Sequence, residues 1–121
     1  MVQSYKDLIV YQKAYKLALE IYRITKNYPK EEVYGLVSQM RRSSVSIPCN
    51  IAEGYRRGHR KEYIQFLHMA HGSCGESETL LSLSYDLAMI DRDTFEKLYP
   101  MQEEVSRLLM ILSLVEPTRK K

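Results

Sequence analysis

Six basic side chains and one acidic one, Glu53, lie between residues 41 and 61, and no other segment has residue types so suited to binding an anion. The basic side chains are Arg41, Arg42, Arg56, Arg57, Arg60 and Lys61. Guanidinium forks pair well with phosphate oxygens, and Tyr55 beside them offers a ring on which a base can stack. If the segment is one helix, Arg42 and Arg56 face the same way about 20 Å apart. The cluster predicts a nucleic-acid-binding surface.

The same arginines have a second interpretation. A basic run is often only a solvated surface, and its members also suit ion pairs with acidic residues of a neighbouring subunit. The segment 62–104 supplies such residues, because it carries nine acidic and two basic side chains. Both interpretations stay open on the sequence.

A second polar set consists of Asn50, Glu53, Ser73 and Glu76. Two carboxylates suggest acid–base catalysis or a metal, but no nucleophile and no complete ligand set accompanies them. We expect a structural network in which Glu76, placed in an apolar seam, accepts hydrogen bonds from an arginine such as Arg41 or Arg42. The sequence therefore predicts no catalytic residue and no enzyme.

Three potential metal ligands, His68, His71 and Cys74, follow one another at steps of three residues. They share a helix edge, but Cys74 belongs to a core seam and a fourth ligand is missing. Gly72 and Gly75 follow no strand, so they do not form a phosphate-binding loop. We expect neither a metal nor a cofactor.

The composition limits the elements that must position these residues. The chain has 121 residues, 45% of them apolar, which is the size of one domain with its own core. The net charge is only +3, and the two cysteines are typical of small buried residues in a reducing compartment. No apolar run resembles a signal peptide or a membrane span. These features predict a cytoplasmic protein that is not in a membrane.

Hydrophobic periodicity predicts an all-α protein in which 1–121 form a single up-down-up-down antiparallel four-helix bundle. The helices are expected at about 5–27, 31–57, 60–90 and 93–115, with a basic tail at 117–121. The tyrosines at 5, 11, 15, 22 and 28 are interpreted as packing residues with solvated hydroxyls.

Two local details of the helices are also predicted. Pro48 lies inside the second helix, and the apolar row keeps its phase across it, so we expect a kink rather than a stop. Asp93 is expected to cap the fourth helix, with Glu96 completing a capping box.

The third helix carries two heptad seams, and a helix with two seams packs on more than one side. One seam runs from Tyr63 to Ala88 and suits the core. The other supplies the predicted oligomer interface, formed by Met69, Leu80, Leu83 and Leu87. The last turns of the fourth helix, 108–115, are apolar nearly all round. The pattern predicts a homo-oligomer.

Three stretches resemble the bacterial 23S rRNA-intervening-sequence protein family: DLIVYQKAYKLALEIYRIT (7–25), YPKEEVYGLVSQMRRSSVSIPCNIAEGYRR (28–57) and FLHMAHGSCGESETLL (66–81). The resemblance implies a four-helix protomer that assembles into a ring, typically a pentamer, with a suspected role in binding nucleic acid. Related proteins include the accessory protein of diversity-generating retroelements, which works with a reverse transcriptase and its RNA. No catalytic residue is implied.

Together these observations predict a non-enzymatic homo-oligomeric bundle that binds RNA or DNA through its basic surface, with a reverse transcriptase or a ribosomal component as a further partner. The alternative is an interaction scaffold that docks a protein partner, with the arginines serving as interface ion pairs.

Overall fold

Four α-helices pack side by side in the computed structural model, which describes residues 3–115. They are α1 (Ile9–Thr25), α2 (Ser38–Arg57), α3 (Arg60–Asp86) and α4 (Arg92–Val115). Each helix contacts the next along the chain, and α1 also contacts α4, which closes the bundle. The predicted all-α four-helix bundle is confirmed. The predicted basic tail lies outside the described residues.

The core contains one apolar row from each helix, as the periodicity predicts. The largest fully buried aliphatic side chains are Leu17, Ile21, Met40, Ile47, Ile51, Leu67, Leu81, Leu98, Val105 and Leu109. A polar contact lies among them, because Gln102 Nε2 of α4 donates to Ser77 Oγ of α3 at 2.6 Å. Within residues 3–115, no helix is both long and apolar enough to cross a bilayer.

Short turns of other helix types precede α1 and α2, so both α-helices begin later than predicted. Ser4 and Asp7 form a capping box around a 3₁₀ turn, Tyr5–Asp7, and the extended residue Leu8 separates it from α1. Before α2 the chain forms a 3₁₀ turn, Lys30–Glu32, and a π-helical segment, Val33–Val37. A pattern of apolar spacing does not distinguish these turns from an α-helix.

Pro48 lies in the middle of α2, and the helix is unbroken from Ser38 to Arg57. The expectation that α2 continues through the proline is confirmed, whereas the kink stays a prediction. Pro48 is buried, and burial of its apolar ring helps to offset the missing backbone hydrogen bond.

The predicted end of α3 is wrong by four residues. Ala88 adopts the left-handed conformation with φ 62°, and the Met89 N–H donates to Ser84 O at 2.8 Å while Ala88 N–H donates to Tyr85 O. This is a Schellman ending. The expected seam therefore stops before Ala88, and the helix ends at Asp86.

The predicted cap of α4 is also corrected. Asp91 rather than Asp93 closes the first turn, since the Thr94 N–H donates to Asp91 Oδ1 at 2.8 Å and the Phe95 N–H to Asp91 O. Both aspartates precede the apolar row, and only the path of the preceding turn decides which one reaches the helix amides.

The two central helices, α2 and α3, are joined by only two residues, Gly58 and His59. Gly58 ends α2 with φ 76°, a conformation that favours glycine. Four residues earlier, Gly54 is buried against α3, and a Cβ atom there would lie 2.6 Å from Phe66 Cβ. This connection places the last turn of α2 and the first turn of α3 together at one corner of the bundle.

Candidate nucleic-acid interface

That corner carries four of the predicted binding residues: Arg56, Arg57, Arg60 and Lys61, here called the basic corner. All four side chains are exposed. Among the described residues, neither Arg56 nor Lys61 has a carboxylate partner. The Gly58 turn therefore presents two cations that are not neutralised, one from each helix.

Arg57 is held differently from its neighbours. Its guanidinium contacts Glu53 at 3.0 Å and Glu62 at 3.8 Å, and it lies over the Phe66 ring at 5.0 Å from the centroid. Two carboxylates within 4 Å largely neutralise its field. Arg57 therefore adds little to the positive potential of the basic corner and instead links the side chains of Glu53, Glu62 and Phe66.

The remaining two predicted arginines lie further along α2, and both have partners within the protomer. Arg42 pairs with Glu76 of α3 at 3.6 Å. Arg41 is half-buried between α1 and α2, where Nε donates to Thr25 Oγ1 at 2.9 Å and Nη2 to Tyr22 O at 3.3 Å. Its guanidinium also lies over the Tyr22 ring, 4.5 Å from the centroid.

Tyr55, predicted as a stacking residue, is partly buried against the core. Its ring meets Tyr63 of α3 edge-on at 6.1 Å between centroids. The ring therefore contributes to the packing of α2 on α3 beside the basic corner.

The four residues of the predicted polar network do not form a single network. Asn50 Nδ2 donates to Ser46 O and Oγ at 2.8 and 3.0 Å, and Ser46 Oγ is 2.7 Å from Ser73 Oγ. This chain of contacts links α2 to α3 through Ser46, which sequence reasoning did not include. Glu53 instead binds Arg57.

Glu76 binds an arginine, Arg42, but its surroundings differ from the prediction. Its side chain is 42% exposed rather than enclosed in an apolar seam. The Arg42–Glu76 pair is therefore a surface ion pair, of the kind that contributes about 0–1 kcal/mol.

One of the four predicted interface residues is placed wrongly. Leu80 is only 8% exposed and belongs to the core, whereas Leu83 is 44% exposed and Met69 and Leu87 are similarly open. At 100° per residue, Leu80 is only about 40–60° from the buried Ser77 and Ser84, so it lies at the edge of the core.

The histidines and the buried cysteine do not converge. His71 Nε2 is 3.1 Å from Ser106 Oγ of α4, and His68 is exposed. Burial raises the pKa of Cys74 to about 12, which keeps it a neutral thiol. Within residues 3–115, no three His, Cys, Asp or Glu side chains are placed to hold a metal ion.

A groove between α1 and α2 is the feature that sequence reasoning missed. Four tyrosines border a cavity of about 340 Å³ over Pro48 and Cys49, and we call it the tyrosine groove. The tyrosines are Tyr5, Tyr11, Tyr15 and Tyr22. Tyr11, Tyr15 and Tyr22 are spaced at 4 and 7 residues, a helical spacing that would have placed them on one face of α1.

The aromatic rings of the tyrosine groove contact one another. Tyr5 meets Tyr11 edge-on at 5.0 Å between centroids, and Tyr11 lies 5.9 Å from Tyr15. Burial, and then the neighbouring Tyr5, Tyr15 and Cys49 side chains, raises the pKa of Tyr11. Arg56 of the basic corner lies over the Tyr5 ring at 5.5 Å from the centroid, so corner and groove are continuous.

Comparison with known proteins agrees with this architecture. The family model described as 23S rRNA-intervening sequence protein matches residues 6–110. A crystal structure of a protein of unknown function from the S23 ribosomal protein family of Bacteroides thetaiotaomicron is similar, with a TM-score of 0.78 and 26% identity. The match covers 87% of this chain and 98% of that one. The curated proteins yield no match.

Proposed function

Because this chain belongs to the 23S rRNA-intervening sequence protein family, we propose that it is a non-enzymatic homo-oligomer that binds nucleic acid, above all RNA, through the basic corner. The observation that carries the proposal is the pair of exposed cations, Arg56 and Lys61, which flank the Gly58 turn with no carboxylate partner in the described part of the chain. Phosphate binding needs cations whose charge is not already neutralised by carboxylates.

The pairing of the other arginines supports this choice of site. Arg57 is braced by Glu53 and Glu62, and Arg42 by Glu76, so neither is the main source of positive field. The Arg57 pairs hold the side chains at the corner in place, whereas the Arg42–Glu76 pair joins α2 to α3 further along the bundle. A positive surface with fixed geometry and no base-reading loop favours contacts to the backbone, with little sequence preference.

Assembly would multiply these contacts. Met69 and Leu83 of α3 are exposed large apolar side chains, as are Met110, Ile111 and Leu114 in the last turns of α4. Large apolar side chains exposed on two neighbouring helices favour a protein–protein contact on this side of the bundle. In a ring, which we propose to be a pentamer, one basic corner per protomer would be repeated, so weak phosphate contacts would add through multivalency.

Salt dependence of RNA binding tests the proposal. Affinity should fall steeply with salt, and the double variant R56A/K61A should flatten the log–log slope by about 0.7 for each phosphate of single-stranded RNA that is no longer neutralised. The matched control, K16A/R107A, removes the same charge from two exposed cations on α1 and α4, outside the basic corner, and should weaken binding much less. Fluorescence anisotropy of a labelled oligonucleotide measures both.

The oligomeric state of the same variants distinguishes the proposed function from the alternative, an interaction scaffold. R56A/K61A should keep the assembly of the parent protein, because both side chains lie outside the core. Dissociation into protomers, seen by light scattering, would instead favour the scaffold, in which these cations pair across subunits. Absence of binding by the intact assembly at low salt would refute the nucleic-acid function.

A further inference from the structure

The tyrosine groove is an open aromatic surface next to the basic corner, and the phosphate contacts proposed for the corner do not occupy it. Its rims are exposed, with Tyr15 at 52% and Tyr22 similarly open, while the floor is formed by Pro48 and small apolar side chains. The cavity of about 340 Å³ is within the range of about 300–1,000 Å³ typical of small-molecule sites. A flat aromatic ring therefore has both the space and the surfaces to stack there.

The charges around the tyrosine groove indicate what kind of ring it would receive. Arg41 lies over Tyr22 at one end, and Arg56 lies over Tyr5 at the other. The two arginines are 15 residues apart on α2, about 22 Å along the axis. None of the described residues that line the cavity is a carboxylate. Cations at both ends and aromatic rings between them complement a polymer of phosphates and flat bases.

We propose that the tyrosine groove receives unpaired bases of single-stranded nucleic acid while phosphates of the same strand contact Arg56 and Arg41 at its ends. The inference rests on the proposed function and adds a preference for strand type. A duplex offers its phosphates to the basic corner as readily as a single strand does, but its bases are stacked on one another and have no free face for the tyrosines. Single strands should therefore bind more tightly than duplexes of equal length.

Cys49, one of the residues that line the tyrosine groove, can be used to measure whether the groove is occupied. Cys49 is exposed on the groove floor, whereas Cys74, the other cysteine of the chain, is fully buried with a pKa of about 12. Alkylation in the folded protein is thus confined to Cys49, because the thiolate is the reactive form and needs access to solvent. The rate of Cys49 alkylation reports whether the groove is occupied.

The experiment uses the unmodified chain and two RNAs of equal length, an unstructured single strand and a blunt duplex. Saturating single strand should slow the alkylation of Cys49 by a maleimide at least several-fold, and saturating duplex should not. Y15A and Y22A should each weaken single-strand binding about 5- to 150-fold, with duplex binding changed much less. The control is Y34A, which removes a tyrosine that is 96% exposed and does not line the groove.

Three results would overturn the inference, and they differ from one another. RNA that binds in an Arg56-dependent manner without protecting Cys49 would refute the groove and leave the proposed function standing. A Cys49 that is protected before RNA is added, together with dissociation of Y15A into protomers, would show that a second copy of the chain fills the groove. If neither RNA binds at low salt, the proposed function and the inference fail together.

Discussion

The close approach of α2 and α3 at Gly54 can be tested by adding one methyl group. In Gly54→Ala, the new Cβ would lie 2.6 Å from Phe66 Cβ and 3.3 Å from Tyr63 Cδ1. Carbon atoms in ordinary contact are about 3.5–4.0 Å apart, so the helices must separate by about 1 Å at this point. The contact involves Cβ of Phe66, which is attached to the backbone and cannot move away by a rotamer change.

Two effects of opposite sign determine the stability of this variant. Overpacking of a closely packed site costs about 1–3 kcal/mol. Replacement of a helical glycine by alanine contributes about 1 kcal/mol in the other direction. Gly72→Ala provides the matched control, because it gives the same helical gain and its Cβ would meet nothing within 4 Å. We therefore expect Gly54→Ala to be about 1–3 kcal/mol less stable than Gly72→Ala.

Urea denaturation followed by circular dichroism measures this difference, with all proteins at one concentration because assembly would shift the midpoint. Equal midpoints for the two variants would refute the reasoning, since they would mean that α2 and α3 do not approach this closely in solution. Displacement of α3 also moves Lys61 away from Arg56, so Gly54→Ala should weaken RNA binding as well.

Two further predictions concern assembly and the start of α4. Leu83→Glu should keep the helicity of the protein and lower its oligomeric state in light scattering. Leu80→Glu should instead unfold the protomer, because it places a charge in the core. An oligomeric state unchanged by Leu83→Glu would exclude this face of α3 as the interface. Asp91→Ala should lower the melting temperature and Asp93→Ala should not. The hydrogen bond from the Thr94 backbone N–H lowers the pKa of Asp91 from its ordinary 3.8. The parent protein should therefore exceed Asp91→Ala in stability by the full amount above pH about 4, and this difference should vanish as the pH falls through the lowered pKa. A difference in melting temperature that persists in acid would contradict the cap.

The helices were predictable because each buries one face, so that apolar residues recur in its sequence with the period of a helix. Leu17, Ile21 and their counterparts recur at steps of three and four, so the number and order of the helices follow directly. The continuation of α2 through Pro48 followed from the same phase. Helix ends were less predictable, because Ala88 takes a left-handed conformation that usually marks a glycine.

The site was predictable only as far as it depends on one segment. The basic corner is contiguous in the chain, so its arginines and Lys61 were identified from composition alone. Whether a given arginine is neutralised depends on residues brought near by folding, as Glu76 is for Arg42. Prediction of the tyrosine groove would have required knowledge of how three elements pack together, because Tyr5 comes from a separate turn and the floor of the groove belongs to α2.

The two-residue connection between α2 and α3 also affects how quickly the chain reaches its native state. Contacts within a hairpin of helices are local in sequence, and chains dominated by local contacts fold in microseconds to milliseconds. Because the α2–α3 pair has the shortest loop between long helices in the described part of the chain, we expect it to form first and α1 and α4 to dock onto it. The basic corner, formed inside this hairpin, would therefore be complete once α2 and α3 have paired, before α1 and α4 dock.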